Sequence, residues 1–203
     1  MFGPGKEAAA LSRAHRLNAL KRTIPRAKVK QVLRKTGRDR AYCARLPALF
    51  MVFFVLALGL FCNDSYRQVF RWLRRWKKDS VPGRSTLCEA RRRLGVAPLV
   101  VLAREIVQLL ATAATPGAFY RGMRLMALDG FVVDIPDMPR NDKVFGRPRG
   151  GRADGAFPQI RVVALCEAGT HVMWRWLIKP IGVAEQVMAD WLLRFLEPGM
   201  LLL

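Results

Sequence analysis

A chain of 203 residues that is 52% apolar can bury the core of one ordinary domain or two small ones, which excludes a disordered polyelectrolyte. Its formal charge of +20 exceeds what a solvated surface needs and points to a polyanionic partner, nucleic acid before an anionic membrane surface. The four cysteines, Cys43, Cys62, Cys88 and Cys166, form no C-x-x-C pair, and the only histidines are His15 and His171. A zinc site of ordinary spacing is therefore excluded, and the thiols read as buried and reduced.

The charge is one-sided. Residues 1–128 carry 26 Lys and Arg against six Asp and Glu, whereas residues 129–203 carry nine of each. Residues 1–22 are rich in Ala and Arg with little periodic order and read as a flexible basic leader, an amphipathic targeting peptide being the other reading. Pro25 suits a first helical turn and Gly37 a C-terminal cap, which predicts a short basic helix over 25–36. An apolar helix follows from about Arg40 to Cys62. Its core, residues 46–62, is an unbroken apolar run of 17 residues, at the short limit for a membrane span. A buried central helix is favoured, because basic helices flank it on both sides.

Asn63, Asp64 and Ser65 are all good N-caps for the next helix. There Tyr66, Val69, Phe70, Leu73 and Trp76 form one apolar stripe, and Arg67, Arg71, Arg74, Arg75 and Lys78 fall on the other side. Val81-Pro82-Gly83 breaks it, and Ser85 or Thr86 starts a second helix that Gly95 ends. This second helix carries Arg91, Arg92 and Arg93, and Arg84, just before it, joins them as a candidate DNA contact. The pair is compatible with a helix-turn-helix that reads DNA, or with two bundle helices whose basic faces are solvated. Residues 97–114 read as a further apolar helix with Pro98 in its first turn.

After the loop TPGAFYRG the periodicity shortens to that of strands. MRLMALDGFVVDIPD reads as a hairpin turning at Asp-Gly. A Gly- and Arg-rich loop containing Arg147, Arg149 and Arg152 follows, and these cations join the candidate DNA contacts. IRVVALCEAG and THVMWRWLIKP read as two strands joined at Ala168-Gly169, GVAEQVMADWLLRFL as a helix, and Leu201–Leu203 as the first half of a buried strand. A strand left half-built predicts a chain cut short inside a domain. The fold class is therefore α+β, with helices first and a mixed sheet after them.

No P-loop, dinucleotide fingerprint or Ser-His-Asp set is present, so the candidate chemistry is acidic. Asp129 ends an apolar run beside a glycine. It reads either as a turn residue or as a ligand for a hard divalent cation, and a two-metal site would need further carboxylates, with Asp134 and Asp137 nearby.

Taken in order, LPALFMVFFVLALGLF, SYRQVFRWL, STLCEARRRLG, TPGAFYRGMRLMALDGFVVDIPD, FGRPRGG, GAFPQIRVVAL and EPGMLLL resemble successive landmarks of bacterial insertion-sequence DDE transposases of the type-four family, over about residues 24–203. The resemblance implies a helical DNA-binding domain at 23–118 and the opening of a ribonuclease-H-like catalytic domain at 119–203. It also implies magnesium-dependent cleavage and joining of DNA strands at transposon ends. Asp129 matches the first acidic residue of the catalytic triad and hence a metal ligand, while the second Asp and the Glu have no counterpart in the chain. The expected partner is double-stranded DNA, with homo-oligomers in the full-length family, no membrane, and a bacterial cytoplasmic, nucleoid-associated location. The alternatives are a DNA-binding regulator or inhibitor of transposition, or a basic protein anchored to a membrane by residues 46–62.

Overall fold

One segment apolar on every side, among neighbours apolar on one side only, dictates a helix surrounded by helices. The computed structural model describes residues 4–39, 46–73, 81–150 and 153–203. The chain divides into two compact units, Met1–Ile106 and Val107–Leu203.

The first unit is helical: α1 (Pro4–Thr23), α2 (Arg26–Lys35), α3 (Ala48–Leu60), α4 (Tyr66–Leu73), α5 (Arg84–Leu94) and α6 (Ala97–Ile106). The apolar α3 is its centre. Met51, Val52, Phe54 and Ala57 are buried against Val29, Val32 and Leu33 of α2, Val69 and Phe70 of α4, Leu87, Ala90 and Leu94 of α5 and Leu102 of α6. The central-helix reading therefore holds, but the helix starts at Ala48 rather than near Arg40, because Pro47 takes the N-cap with φ −64° and ψ 147°. At 13 residues α3 is about 20 Å long, against roughly 30 Å of bilayer hydrocarbon. Among the described residues no helix is long and apolar enough to cross a membrane.

Three further boundaries need correction. The segment expected as a flexible basic leader over residues 1–22 lies largely in α1, a 20-residue helix. Alanine has the highest helix propensity, and Leu17 is buried against the core with Leu20 beside it. The second basic helix begins at Arg84, capped by Gly83, rather than at Ser85 or Thr86. The helix expected over 97–114 stops at Ile106, because the Leu110 and Ala111 N–H groups donate to the Glu167 carboxylate instead of to helical carbonyls. The expected end of α2 holds: Gly37 takes φ 63°, its N–H donates to Arg34 and the Arg38 N–H donates to Leu33, closing a Schellman turn.

The second unit contains β1 (Phe119–Tyr120), β2 (Met123–Asp134), α7 (Pro139–Phe145), β3 (Arg149–Gly150), β4 (Ala153–Asp154), β5 (Gln159–Glu167), β6 (Val172–Pro180), α8 (Glu185–Leu193) and β7 (Met200–Leu202). The main departure lies in β2. Asp129-Gly130 is no hairpin turn but mid-strand: β2 is a single strand of 12 residues that pairs antiparallel with β5 from Met126↔Glu167 to Asp134↔Gln159. Nine consecutive ladder partners outweigh the local turn preference of Asp-Gly. The turn actually made is Arg121-Gly122, both at positive φ, which folds β1 onto β2 inside a segment read as loop. The Gly- and Arg-rich loop likewise contains α7 and the small β3–β4 hairpin.

β5 pairs antiparallel with β6, as expected, and α8 then carries the chain to β7, which pairs parallel with β2. Val163 of β5 is buried with Met188 and Leu192 of α8. Met126, Leu165 and Trp174 form the adjoining core. The α+β class holds.

Candidate nucleic-acid interface and acidic site

Unit 1 holds 24 Lys and Arg against six Asp and Glu. Ser65 caps α4, its Oγ accepting the Gln68 N–H at 3.3 Å, and this sets the helical phase. Val69 and Phe70 then point inward while Arg67 and Arg71, one turn apart, are exposed. On α5 the buried Leu87, Ala90 and Leu94 leave Arg84, Arg91, Arg92 and Arg93 exposed. Among the described residues none of these six arginines pairs with a carboxylate. Among the described residues the ion pairs of the unit converge instead on Glu105, which takes Lys28 at 2.9 Å and Lys35 at 2.6 Å. Hydrogen bonds from Lys35 and then Lys28 hold the Glu105 carboxyl below its ordinary range.

Two contacts fix the end of α5. The Arg38 Nη1 donates to the Arg93 carbonyl at 3.1 Å, and the Arg91 Nη1 donates to the Tyr66 hydroxyl at 2.5 Å. Sequence periodicity places Tyr66 on the apolar stripe and so misses this bond. Arg74, Arg75, Lys78 and Arg152 lie outside the described residues.

In unit 2 the candidate cations are arranged differently. Arg147 is committed within its own loop: Nη2 lies 2.6 Å from Asp137, Nε 3.2 Å from Asp142, and Nη1 donates to the Gly155 and Ala156 carbonyls. Hydrogen bonds to Asp137 and then Asp142 raise its already high pKa. Arg149 is on β3.

Asp129 is exposed, and its Oδ1 accepts the N–H of Gly130 at 2.8 Å. Along β2 the Arg124 N–H and the Met126 carbonyl bond to Gly199 and Leu203, while the Leu125 carbonyl takes the Ala168 N–H that follows β5. Alternation then turns the Gly130 N–H toward the β7 edge, and Asp129 satisfies it there. The Cys166 thiol is pushed up by burial first and by the Asp129 charge second. Asp134 and Asp137 do not join Asp129: Asp134 accepts from Gln159 at 2.7 Å and Asp137 holds Arg147. Among the described residues no group of three His, Cys, Asp or Glu side chains is placed to hold a metal ion.

The acid that unit 2 does bury is Glu167, with no solvent exposure. Its carboxylate accepts from the Arg124 guanidinium, the Thr170 hydroxyl and the Leu110 and Ala111 N–H groups. Burial would raise its pKa, but the Thr170, Leu110 and Ala111 hydrogen bonds and the Arg124 charge outweigh burial and hold it low. The signal for this knot was a lone Glu ending an apolar strand with a lone Arg in the strand it pairs with.

Residues 14–104 match the family described as insertion element 4 transposase N-terminal, a span running from within α1 to within α6. Unit 1 carries an IS4-like transposase N-terminal region. Both curated relatives come from Escherichia coli K12. InsZ, provisionally named a transposase, is 30% identical over 107 residues, covering 52% of this chain and 36% of its own length. InsG, the transposase of insertion sequence element IS4, is 25% identical over 167 residues, covering 81% of this chain and 38% of its own. A match of 167 residues exceeds the 106 of unit 1, so the likeness to the IS4 transposase runs on into unit 2. The chain spans little more than a third of the length of either relative. No solved structure matches it.

Proposed function

We propose that the chain acts in transposition by binding double-stranded DNA at transposon ends, with unit 1 as the DNA-binding domain and unit 2 as the opening part of a ribonuclease-H-like catalytic domain. The observation that carries this reading is the set of six exposed arginines on α4 and α5, unpaired with carboxylates among the described residues, inside the transposase-like region. Arginines left unpaired on a folded surface are suited to phosphates, whose neutralisation releases counterions. The strand plan of unit 2 supports the second half: three long strands pair antiparallel in sequence, and a helix then returns the chain to a parallel strand beside the first. The location that follows is the bacterial cytoplasm, at the nucleoid. Copies of the chain would assemble on paired ends.

Strand cleavage in the family implies magnesium. Asp129 is a reasonable single ligand, an exposed hard oxygen at a strand edge. One carboxylate does not complete a two-metal site.

The test is duplex binding as a function of salt. Affinity is expected to fall steeply with ionic strength, and replacing Arg91, Arg92 and Arg93 together by Ala to weaken it markedly. Unchanged binding by that triple variant would remove α5 from the interface.

A further inference from the structure

Tyr66 sits between the core of unit 1 and its basic surface. Its ring packs edge-on against Phe54, the two centroids 6.0 Å apart, and Phe54 has no solvent exposure. Its hydroxyl, at the other end, accepts the Arg91 Nη1 hydrogen bond at 2.5 Å, and the Arg91 guanidinium carbon lies 5.5 Å from the ring centre. One rigid side chain thus joins the central helix α3, the start of α4 and the last turn of α5.

We propose that Tyr66 is a positioning residue for DNA binding: it holds the exposed Arg91 guanidinium in the orientation that meets a backbone phosphate. The inference rests on the DNA-binding reading above. An exposed arginine loses several rotatable torsions when it binds, and ordering such a side chain weakens association. A phenol anchored in the core and bonded to one Nη nitrogen removes much of that disorder beforehand. It leaves the guanidinium's other N–H groups for a phosphate, which arginine recognises through its planar fork of donors. The hydroxyl is suited to this because it accepts one hydrogen bond without neutralising the charge, which a carboxylate partner would do. The six exposed arginines are therefore unequal: Arg91 is oriented by a core-anchored partner.

The experiment measures binding of the full chain to a fluorescein-labelled duplex of mixed sequence over a salt series, for wild type, Tyr66→Phe, Arg91→Ala, Arg91→Lys and the double variant Tyr66→Phe/Arg91→Ala. Tyr66→Phe keeps the ring against Phe54 and removes only the hydroxyl, and thermal melting confirms that the fold is retained. It is expected to bind roughly three- to tenfold more weakly, the range that ordering one long side chain represents. Its salt slope should stay near the wild-type value, because the charged arginine still reaches the phosphate, whereas Arg91→Ala should lower the slope by about one. In the Arg91→Ala background the Tyr66→Phe loss should vanish, since Tyr66 acts through Arg91. Arg91→Lys, which keeps the charge and loses the planar fork, should resemble Tyr66→Phe and serves as the test from the other partner if that variant melts early. Wild-type affinity in Tyr66→Phe or Arg91→Lys, or a loss that persists undiminished in the double variant, would overturn the inference while leaving DNA binding intact. Failure of the wild type to bind duplex at low salt would overturn both.

Discussion

Glu167 and Arg124 form an ion pair across the β2–β5 ladder, at a point where the Glu167 side chain is fully buried and Arg124 is about one-fifth exposed. The carboxylate also holds the Leu110 and Ala111 N–H groups, so one residue ties the segment preceding β1 to the end of β5. Removing a buried partner leaves the other charge uncompensated, which costs about 3–5 kcal/mol, whereas a surface pair is worth under about 1 kcal/mol. Glu167→Ala is expected to lower the stability of unit 2 by about 3–5 kcal/mol in chemical denaturation. Glu167→Gln, which keeps an acceptor, should lose less. A loss below about 1 kcal/mol for the alanine variant would mean that the pair is screened like a surface contact.

The same residue sets a pH dependence. The Glu167 pKa is lowered in the folded chain, so folding favours its charged form. That contribution is present above the carboxylate's unfolded pKa and is lost as pH falls through the lower, folded one. Unit 2 should therefore lose stability as acid is added below the ordinary carboxylate range. Glu167→Gln should flatten that part of the melting-temperature profile, and a profile of unchanged slope would assign the acid sensitivity to other carboxylates.

Asp129 and Gly130 show where sequence reading works and where it fails. Helix ends were legible at Gly37 and Gly95 because a positive φ is a local demand that glycine meets. The central helix was legible because 13 consecutive apolar or small residues admit no solvent face. Asp-Gly, in contrast, carries the local signature of a turn, and only the ladder to β5, some 35 residues distant, makes it strand. The exposed cations of α4 and α5 followed from helical period, whereas the capture of Arg147 by Asp137 and Asp142 depends on how one loop closes. Tyr66 was legible as apolar and illegible as a hydrogen-bond acceptor, since its partner is 25 residues away on another helix.

The neighbours Asp129 and Gly130 should both tolerate conservative substitution, for different reasons. A Cβ built on Gly130 would lie 2.6 Å from the Glu185 carboxylate, which pairs with Arg161 at 3.1 Å. The obstacle is the end of a flexible, half-exposed side chain, so it can swing away at the cost of a surface pair, about 0.2–1 kcal/mol. Alanine in a strand regains roughly 0.5–1 kcal/mol over glycine. The two effects nearly cancel, so Gly130→Ala should be close to neutral in wild type. It should be stabilising by roughly 0.5–1 kcal/mol once Glu185→Ala has cleared the site. Asp129→Asn, at an exposed position, should stay within about 0.5 kcal/mol of wild type. A large destabilisation by either single variant in denaturant titration would mean that the β2 edge is packed more tightly than its exposure indicates.

Arginines of one charge but different surroundings provide the sharpest contrast. Arg67 and Arg71 are exposed, one turn apart, with no carboxylate partner among the described residues, whereas Arg147 holds two carboxylates and two carbonyls. Phosphate contacts contribute about −0.9 each to the slope of log affinity against log salt. Arg67→Ala/Arg71→Ala should therefore weaken duplex binding, reduce that slope by up to about two, and leave stability nearly unchanged. Arg147→Ala should do the reverse: it removes two ion pairs and two hydrogen bonds to carbonyls that hold one loop together, so it should modestly lower the melting temperature of unit 2 while the salt slope stays at the wild-type value. If Arg147→Ala instead reduced the slope as the α4 pair does, its carboxylate partners would have to release it to DNA on binding, and the loop around α7 would belong to the interface.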